Sequence, residues 1–218
     1  MLPVVLGTRA NNKALRILCL GAHSDDIEIG CGGTVLRLLG EREGSSVHWV
    51  VFSATPERER EANASAADFL AQAQSATVVV KTFPESFFPS AWLEIKKSFE
   101  EIKRAANPDV ILCHHRKDLH QDHRVVAELA WNTFRDHVIL EYEIPKFEGD
   151  LGSPNVYVPI SRSLADRKVE LLLRHFPSQA ARTWFRPDTF HGLMAIRAVE
   201  CNAPEGRAEA FHAPKLSL

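Results

Sequence analysis

The chain has 218 residues, a length typical of one α/β domain with a sizeable buried core. Its net charge of −2 gives no reason to expect nucleic acid or an anionic membrane as a partner. No apolar run approaches the ~20 residues that span a bilayer, and residues 1–12 lack the pattern of a signal peptide. We therefore expect one domain over residues 1–218, with no membrane insertion and with residues 1–12 as a poorly ordered lead-in.

The cysteines indicate a reducing compartment. None of the four belongs to a C-x-x-C pair. Cys19 and Cys113 lie inside apolar, strand-like runs, where a free thiol acts as a small hydrophobe. A reduced, cytoplasmic protein is the simplest interpretation.

The first half of the chain alternates apolar runs with helical patterns. In chain order it predicts a strand at 15–20, a helix that includes 34–39 and stops at Gly40, a strand at 47–52, a helix at 57–71, a strand at 77–80 and a helix at 91–106. The last of these helices carries an apolar stripe at steps of three and four residues, formed by Trp92, Ile95, Phe99 and Ile102.

The second half continues the alternation and then loosens. It predicts a strand at 110–113, a helix from 121 to about 134, a strand at 138–142, a loop rich in Pro and Gly at 144–155, an edge strand at 155–160, helices at 163–176 and 189–199, and an irregular end with some strand character. Ser163 with Asp166 resembles a capping box. Strands that alternate with helices predict a mostly parallel sheet, and ligands bind such sheets beyond the carboxyl ends of the strands.

Two polar clusters follow predicted strands directly and therefore belong at that edge. The first is Gly21-Ala22-His23-Ser24-Asp25-Asp26, and the second is His120-Gln121-Asp122-His123. Four histidines lie between positions 114 and 123. Packing alone does not explain this density, because each buried imidazole needs its own hydrogen-bond partner.

The residue types in these clusters predict a metal-dependent hydrolase. Of the neighbours Asp25 and Asp26, one can bind a metal while the other acts as general base toward the metal-bound water. Of His120 and His123, one can complete the metal site while the other, when protonated, stabilises a developing oxyanion. Asp122 could orient an imidazole. Two nitrogens, one oxygen and an open fourth position make the catalytic zinc pattern, with the ligand set His23, Asp26 and His123.

The motif Ala22-His23-Ser24-Asp25-Asp26, with His120-x-Asp122-His123 far downstream, resembles the LmbE-like (PIG-L) deacetylases. These are zinc-dependent enzymes that remove an acetyl group from an N-acetylated amino sugar. The resemblance extends to Arg58-x-x-Glu61 and to Ala208-Glu209-Ala210-Phe211. It implies a Rossmann-like three-layer fold and a small-molecule N-acetyl sugar or sugar conjugate as substrate. It is compatible with a homo-oligomer, although no sequence pattern fixes the oligomeric state.

The resemblance also implies a role for each matching residue. His23, Asp26 and His123 would bind one Zn²⁺ per chain. Asp25 would be the general base, His120 would polarise the amide carbonyl with Asp122 behind it, and Arg58 would contact the sugar. The chain departs from the family pattern at Ser24 and Gln121, where proline is usual, and at Ile27, which follows Asp26 directly and is itself followed by Glu28.

Several points stay open at the level of sequence. His114 and His115 could line the site, or Asp118 and backbone carbonyls could satisfy them. The loops 83–92 and 146–155 are expected to build the pocket, and either could act as a lid. The function classes left open are another metal-dependent amidase such as a thiol-conjugate amidase, a non-haem iron enzyme with the same donor set, and a non-catalytic sugar- or nucleotide-binding Rossmann module.

Overall fold

A computed structural model describes residues 14–216, so the predicted lead-in at 1–12 lies outside the described residues. The first nine elements alternate strand and helix: β1 (Arg16–Gly21), α1 (Asp26–Glu41), β2 (Ser46–Val51), α2 (Pro56–Phe69), β3 (Ser75–Val80), α3 (Trp92–Ala105), β4 (Val110–His114), α4 (Gln121–Thr133) and β5 (Val138–Tyr142). After an irregular loop the chain continues with β6 (Val156–Pro159), α5 (Arg162–His175), a short 3₁₀ turn (Pro177–Gln179), α6 (Pro187–Cys201) and β7 (Ala208–His212).

The strands form one seven-stranded sheet in the order β3-β2-β1-β4-β5-β7-β6. The first five strands are parallel, and β7 runs antiparallel to both β5 and β6. The prediction of an α/β fold with a mostly parallel sheet is confirmed. Strand order reverses between β1 and β4, and in such sheets the crevice beyond the carboxyl ends of those two strands is the usual ligand site.

Two apolar clusters cover the two faces of the sheet and make three layers. Successive strand residues point to opposite faces, so Leu112 packs in one cluster and Ile111 in the other. The first cluster joins the sheet to α1, α2, α5 and α6, and it contains Phe69 and Val169. The second joins the sheet to α3 and α4, where Phe99 stacks on Phe52 at a centroid distance of 5.0 Å.

Two helix ends differ from the sequence prediction. The helix α1 begins at Asp26 and runs through Gly40 to Glu41, and the glycine with a left-handed backbone is Gly44, at φ 82°. The three glycines early in α1 have low helix propensity, which hides its true start. The helix α5 begins at Arg162 because Ser161 Oγ accepts a hydrogen bond from Leu164 N, so the predicted cap at Ser163 was wrong by two residues.

Two glycines of α1 are required by close packing. A Cβ atom on Gly30 would lie 2.2 Å from the ring of Tyr142, and one on Gly33 would lie 3.0 Å from Glu209 Oε1. Glu209 accepts hydrogen bonds from Gly33 N and Thr34 N, and Lys168 Nζ lies 2.6 Å from Glu209 Oε1. The C-terminal motif on β7 therefore helps to hold α1 against the sheet.

Among residues 14–216 there is no helix with both the length and the apolar character needed to cross a membrane.

Candidate metal centre and active site

The ends of β1 and β4 bring three predicted ligands together. His23 follows β1, Asp26 is the first residue of α1, and His123 lies in the first turn of α4. His23 Nδ1 lies 3.2 Å from His123 Nε2 and 3.4 Å from Asp26 Oδ2. His123 Nε2 lies 3.6 Å from Asp26 Oδ1. All three side chains are buried, so two nitrogens and one carboxylate share a small enclosed space.

Each of the two imidazoles is tied to a carboxylate through its other nitrogen. His23 Nε2 lies 3.1 Å from Asp122 Oδ2, and His123 Nδ1 lies 3.0 Å from Asp118 Oδ2. A neutral imidazole carries one N–H, and a carboxylate accepts that hydrogen. When both rings are neutral, the nitrogens that face each other both present lone pairs beside Asp26, and a bound cation stabilises that arrangement. A carboxylate behind the ring is the usual partner of a metal-binding histidine.

The charges in this cluster are strongly perturbed. Burial opposes ionisation of Asp26, but the charges of His123, His114 and His23 outweigh it and hold the pKa of this carboxyl well below its usual range. Burial also opposes a charge on His23, yet Asp26 and the hydrogen bond with Asp122 raise its pKa to about 10. Burial and the neighbouring His114 lower the pKa of His123 to about 4. The pocket thus keeps one negative carboxylate beside an imidazole that readily takes positive charge.

Asp25 and Arg58 form a partly buried ion pair at the edge of this cluster. Arg58 Nη2 donates to Asp25 Oδ1 at 2.7 Å. Burial raises the pKa of Asp25, and the charge of Arg58 works against that rise. Thr55 Oγ1 accepts a hydrogen bond from Arg58 N and so fixes the start of α2. The Arg58 side chain is therefore held against Asp25, and its predicted contact with a sugar stays a prediction.

His120 has a defined hydrogen-bonding role at the start of α4. Its Nδ1 accepts a hydrogen bond from Asp122 N at 3.2 Å, which caps the helix. In the neutral ring the hydrogen must then be on Nε2. The ring is 5.0 Å from that of His23 and 4.5 Å from that of His123, and burial together with His23 lowers its pKa. The capping hydrogen bond and the lowered pKa both favour a neutral ring with its hydrogen on Nε2, and the predicted role of His120 toward a carbonyl oxygen stays a prediction.

The carboxylate of Asp122 faces a different histidine from the one that the family resemblance implied. It lies against His23 and not behind His120. Asp122 Oδ2 also accepts from Ser86 N at 2.6 Å, and Oδ1 accepts from Phe88 N at 3.1 Å. The closeness of Asp122 to His120 in the sequence could not reveal its contact with His23, because His23 follows a different strand, β1. Asp122 therefore orients His23 and anchors the loop at 83–91.

Sequence reasoning did not assign two residues that contact the cluster. Asp118 orients His123, whereas the sequence suggests it only as a partner for His114 or His115. Its position five residues before His123, in the turn that leads into α4, was the available signal. His114 is fully buried, its Nε2 is 3.2 Å from Asp26 Oδ2, and its ring stacks on His123 at 3.9 Å.

Alternative ligand sets exist in the same place, whereas His115 lies apart. Within the described residues, the groupings close enough to hold a metal ion are His23 with His120 and His123, and Asp26 with His114 and His123, so the predicted ligands are divided between the two. His115 lies outside these groupings: its Nδ1 is 2.6 Å from Glu141 Oε2, and its ring stacks on His212 at 3.8 Å.

The chain belongs to the family described as PIG-L, GlcNAc-PI de-N-acetylase. The family matches residues 18–134, which is more than half of the chain and includes both polar clusters. A comparison with curated protein sequences found no match.

Solved structures share the fold at low sequence identity. A conserved protein, TT1542, from Thermus thermophilus is 21% identical with a TM-score of 0.72, over 94% of this chain and 96% of its own. The N,N′-diacetylchitobiose deacetylase from Pyrococcus horikoshii is 20% identical with a TM-score of 0.70, over 91% and 83%. GalB, a 4-carboxy-2-hydroxymuconate hydratase from Pseudomonas putida KT2440, is 18% identical with a TM-score of 0.72, over 94% and 98%.

Proposed function

We propose that this protein is a zinc-dependent hydrolase that removes the acetyl group from an N-acetylated amino sugar or sugar conjugate. The observation that carries the proposal is the convergence of His23, Asp26 and His123, with a carboxylate behind each imidazole. Membership of the PIG-L family supports it. The deacetylase named among the structural neighbours points to the same class of substrate.

The donor set fits zinc, because His23 and His123 would supply imidazole nitrogens and Asp26 an oxygen, and three protein ligands are typical of a catalytic zinc site. A divalent ion held there would supply a nucleophile near neutral pH by lowering the pKa of a coordinated water. The structure offers a physical reason for such an ion: two imidazole nitrogens face each other across 3.2 Å beside a buried carboxylate.

Asp25 is the group proposed to move the proton. Its carboxyl is buried next to Asp26, and burial raises its pKa, which favours proton uptake during the reaction. Arg58 holds one oxygen of Asp25, so the other oxygen would accept the proton from the attacking water. The same carboxyl would then donate that proton to the leaving amine when the C–N bond breaks.

His120 is proposed to polarise the acetamide carbonyl. The hydrogen on Nε2 is available because Nδ1 accepts the hydrogen bond that caps α4. A neutral N–H donor aimed at the carbonyl oxygen stabilises the charge that develops there during attack. Arg58 lies beside Asp25 and would contact the sugar with the donors that Asp25 leaves free.

Two structural facts bear on the alternatives. The α/β fold separates this chain from the all-β barrels that commonly carry iron facial triads, which weakens the iron alternative. The hydratase among the structural neighbours means that the fold alone does not name the reaction. The chemistry must therefore be tested directly.

The test is an assay for released acetate across N-acetyl sugars, sugar nucleotides and a thiol-conjugate amide. We expect acetate from at least one N-acetyl sugar, loss of that activity after chelation, and its return when Zn²⁺ is added. Hydrolysis of the thiol conjugate alone would assign a different amidase. Binding of sugars that is insensitive to chelation, without release of acetate, would favour the non-catalytic module and overturn the proposal.

A further inference from the structure

The loop of residues 143–155, between β5 and β6, is attached to the cluster by a buried cation. Lys146 Nζ lies 3.0 Å from Asp118 Oδ2 and 2.6 Å from Asp150 Oδ1. The side chains of Lys146, Asp118 and Asp150 are 8, 4 and 7% exposed. Lysine is almost never buried unless it is paired, and here it lies between two carboxylates from different segments.

At one end of this network Lys146 controls the orientation of Asp118. The oxygen that it contacts, Oδ2, is the same oxygen that lies 3.0 Å from His123 Nδ1. The other oxygen of Asp118 accepts a hydrogen bond from His120 N at 2.8 Å. Both oxygens are therefore fixed, and Lys146 holds the one that sets the direction of the His123 ring.

At the other end Asp150 fixes the same turn from the loop side. Asp150 Oδ2 accepts a hydrogen bond from Leu119 N at 2.7 Å and lies 2.7 Å from Lys146 Nζ. Leu119 lies between Asp118 and His120 in the chain. The loop therefore holds residues 118–120 at two points, immediately before the helix that carries His123.

The second carboxylate behind a cluster histidine is held in a different way. Asp122, which orients His23, receives backbone N–H groups from Ser86 and Phe88. Of the two carboxylates, Asp118 is the one that receives a side-chain cation from a loop within the described residues. Each of the two loops expected to build the pocket is thus connected to one histidine, and the loop contact to the carboxylate behind His123 comes from one lysine.

We propose that Lys146 is a positioning residue for the metal centre, which fixes Asp118, and through it the ring of His123, and so links metal affinity to the order of loop 143–155. The inference rests on the proposed function only in treating His123 as a metal ligand. Coupling between two sites is reciprocal. Metal binding is therefore expected to order the loop, and a loosened loop is expected to weaken metal binding.

The test compares Lys146→Met and Lys146→Arg with the unmodified protein. Zn²⁺ affinity is measured by competition with a chromophoric chelator, and backbone hydrogen exchange of residues 143–155 is followed with and without Zn²⁺. We expect Lys146→Met to weaken Zn²⁺ binding by about 10- to 100-fold, the range seen when outer partners of metal ligands are lost. Lys146→Arg should retain most of the Zn²⁺ affinity of the unmodified protein. Zn²⁺ should slow exchange in the loop of the unmodified protein but not in Lys146→Met.

The control is Lys168→Met. The Lys168 side chain, 3% exposed, also pairs with a carboxylate, Glu209, but contacts none of the cluster histidines in the described structure. The Lys168→Met variant should have lower thermal stability than the unmodified protein and the same Zn²⁺ affinity. If Lys146→Met does not fold, Asp150→Asn takes its place, with faster loop exchange and weaker Zn²⁺ binding expected.

The outcomes separate this inference from the proposed function. Wild-type Zn²⁺ affinity in Lys146→Met, with loop exchange still slowed by the metal, would overturn the role of Lys146. If Lys146→Met does not fold, wild-type Zn²⁺ affinity in Asp150→Asn would overturn it instead. Absence of Zn²⁺ binding in the unmodified protein would overturn the metal centre itself.

Discussion

The imidazoles of His23 and His123 face each other with 3.2 Å between Nδ1 of the first and Nε2 of the second. Behind each ring lies a carboxylate, at 3.1 Å for His23 and 3.0 Å for His123. The two carboxylates, Asp122 and Asp118, favour N–H groups that point away from the gap. When both rings are neutral, two lone pairs face the gap beside Asp26, and a divalent cation would bind them in place of the proton that His23 otherwise takes up.

Replacing the carboxylates behind the rings should weaken metal binding without removing a ligand. Asp118→Asn and Asp122→Asn should each lower Zn²⁺ affinity by about 10- to 100-fold, because the amide no longer fixes the ring and its tautomer. Competition with a chelator measures the effect. Asp136→Asn, at a side chain that is 91% exposed, is the matched control and should bind Zn²⁺ like the unmodified protein. Equal affinity in all three variants would contradict this account of the histidines.

Asp25→Asn separates metal binding from proton transfer. The variant should keep Zn²⁺ but lose acetate release by about 10²- to 10⁴-fold in kcat, the usual contribution of a general acid–base group. Metal content and steady-state kinetics measured on the same preparation check this result. Wild-type turnover in the metal-loaded variant would remove Asp25 from the mechanism.

Arg58→Met tests whether Arg58 acts on the base as well as on the substrate. Arg58 donates to Asp25 at 2.7 Å, so its loss should lower kcat and also raise KM. An arginine that only binds substrate would raise KM and leave kcat unchanged. Kinetics on the best N-acetyl substrate distinguish the two cases, and Arg58→Lys should recover part of kcat because it keeps the charge.

Gly30→Ala should destabilise the fold near the site. The added Cβ would lie 2.2 Å from the ring of Tyr142, which is fully buried and whose hydroxyl lies 3.3 Å from His114 Nε2. Overpacking of this kind costs about 1–3 kcal/mol in the free energy of unfolding. Gly192→Ala is the control, because among the described residues no atom outside its own stretch of helix lies within 4 Å of the added Cβ. Urea unfolding should show a loss for the first variant and a gain of roughly 0.5–1 kcal/mol for the second.

The stacked pair of His212 and His115 should make stability depend on pH. Burial and the neighbouring His115 lower the pKa of His212 to about 4, with Arg197 and Lys117 acting in the same direction and Glu141 opposing them. In the unfolded chain histidine titrates near pH ~6.5, so between there and about pH 4 the unfolded state binds more protons. Stability should therefore fall as pH falls through this window.

His212→Phe keeps a ring against His115 and removes the titrating group. Urea unfolding across this pH window should show a smaller loss of stability in the variant than in the unmodified protein. Parallel curves for the two proteins would show that His212 does not contribute to the pH dependence.

The sequence predicts the order of strands and helices well, because apolar periodicity and the polar residues at strand ends are local signals. The strand at β5 and the edge position of β6 follow from apolar runs and from the loosened pattern after residue 143. The meeting of His23 with His123 follows from the parallel sheet, since one cluster comes directly after β1 and the other follows β4 after a short turn. The glycines of α1 hide its start because their packing partners, Tyr142 and Glu209, are distant in the chain.

The side-chain contacts that orient the site residues are harder to predict from the sequence. Nothing local indicates that Asp122 serves His23 rather than His120, because the choice depends on how α4 docks against β1. The pairing of Arg58 with Asp25 likewise depends on the placement of α2. The link from Lys146 to Asp118 joins a loop without regular structure to a turn, and no periodicity describes such a contact.

The most direct test of the central claim is anomalous diffraction at the zinc edge on crystals loaded with one equivalent of Zn²⁺. The account predicts a single strong peak at about 2.0–2.2 Å from His23 Nδ1, His123 Nε2 and an oxygen of Asp26. A peak bound instead through His114 or His120, or no peak among these residues, would contradict it.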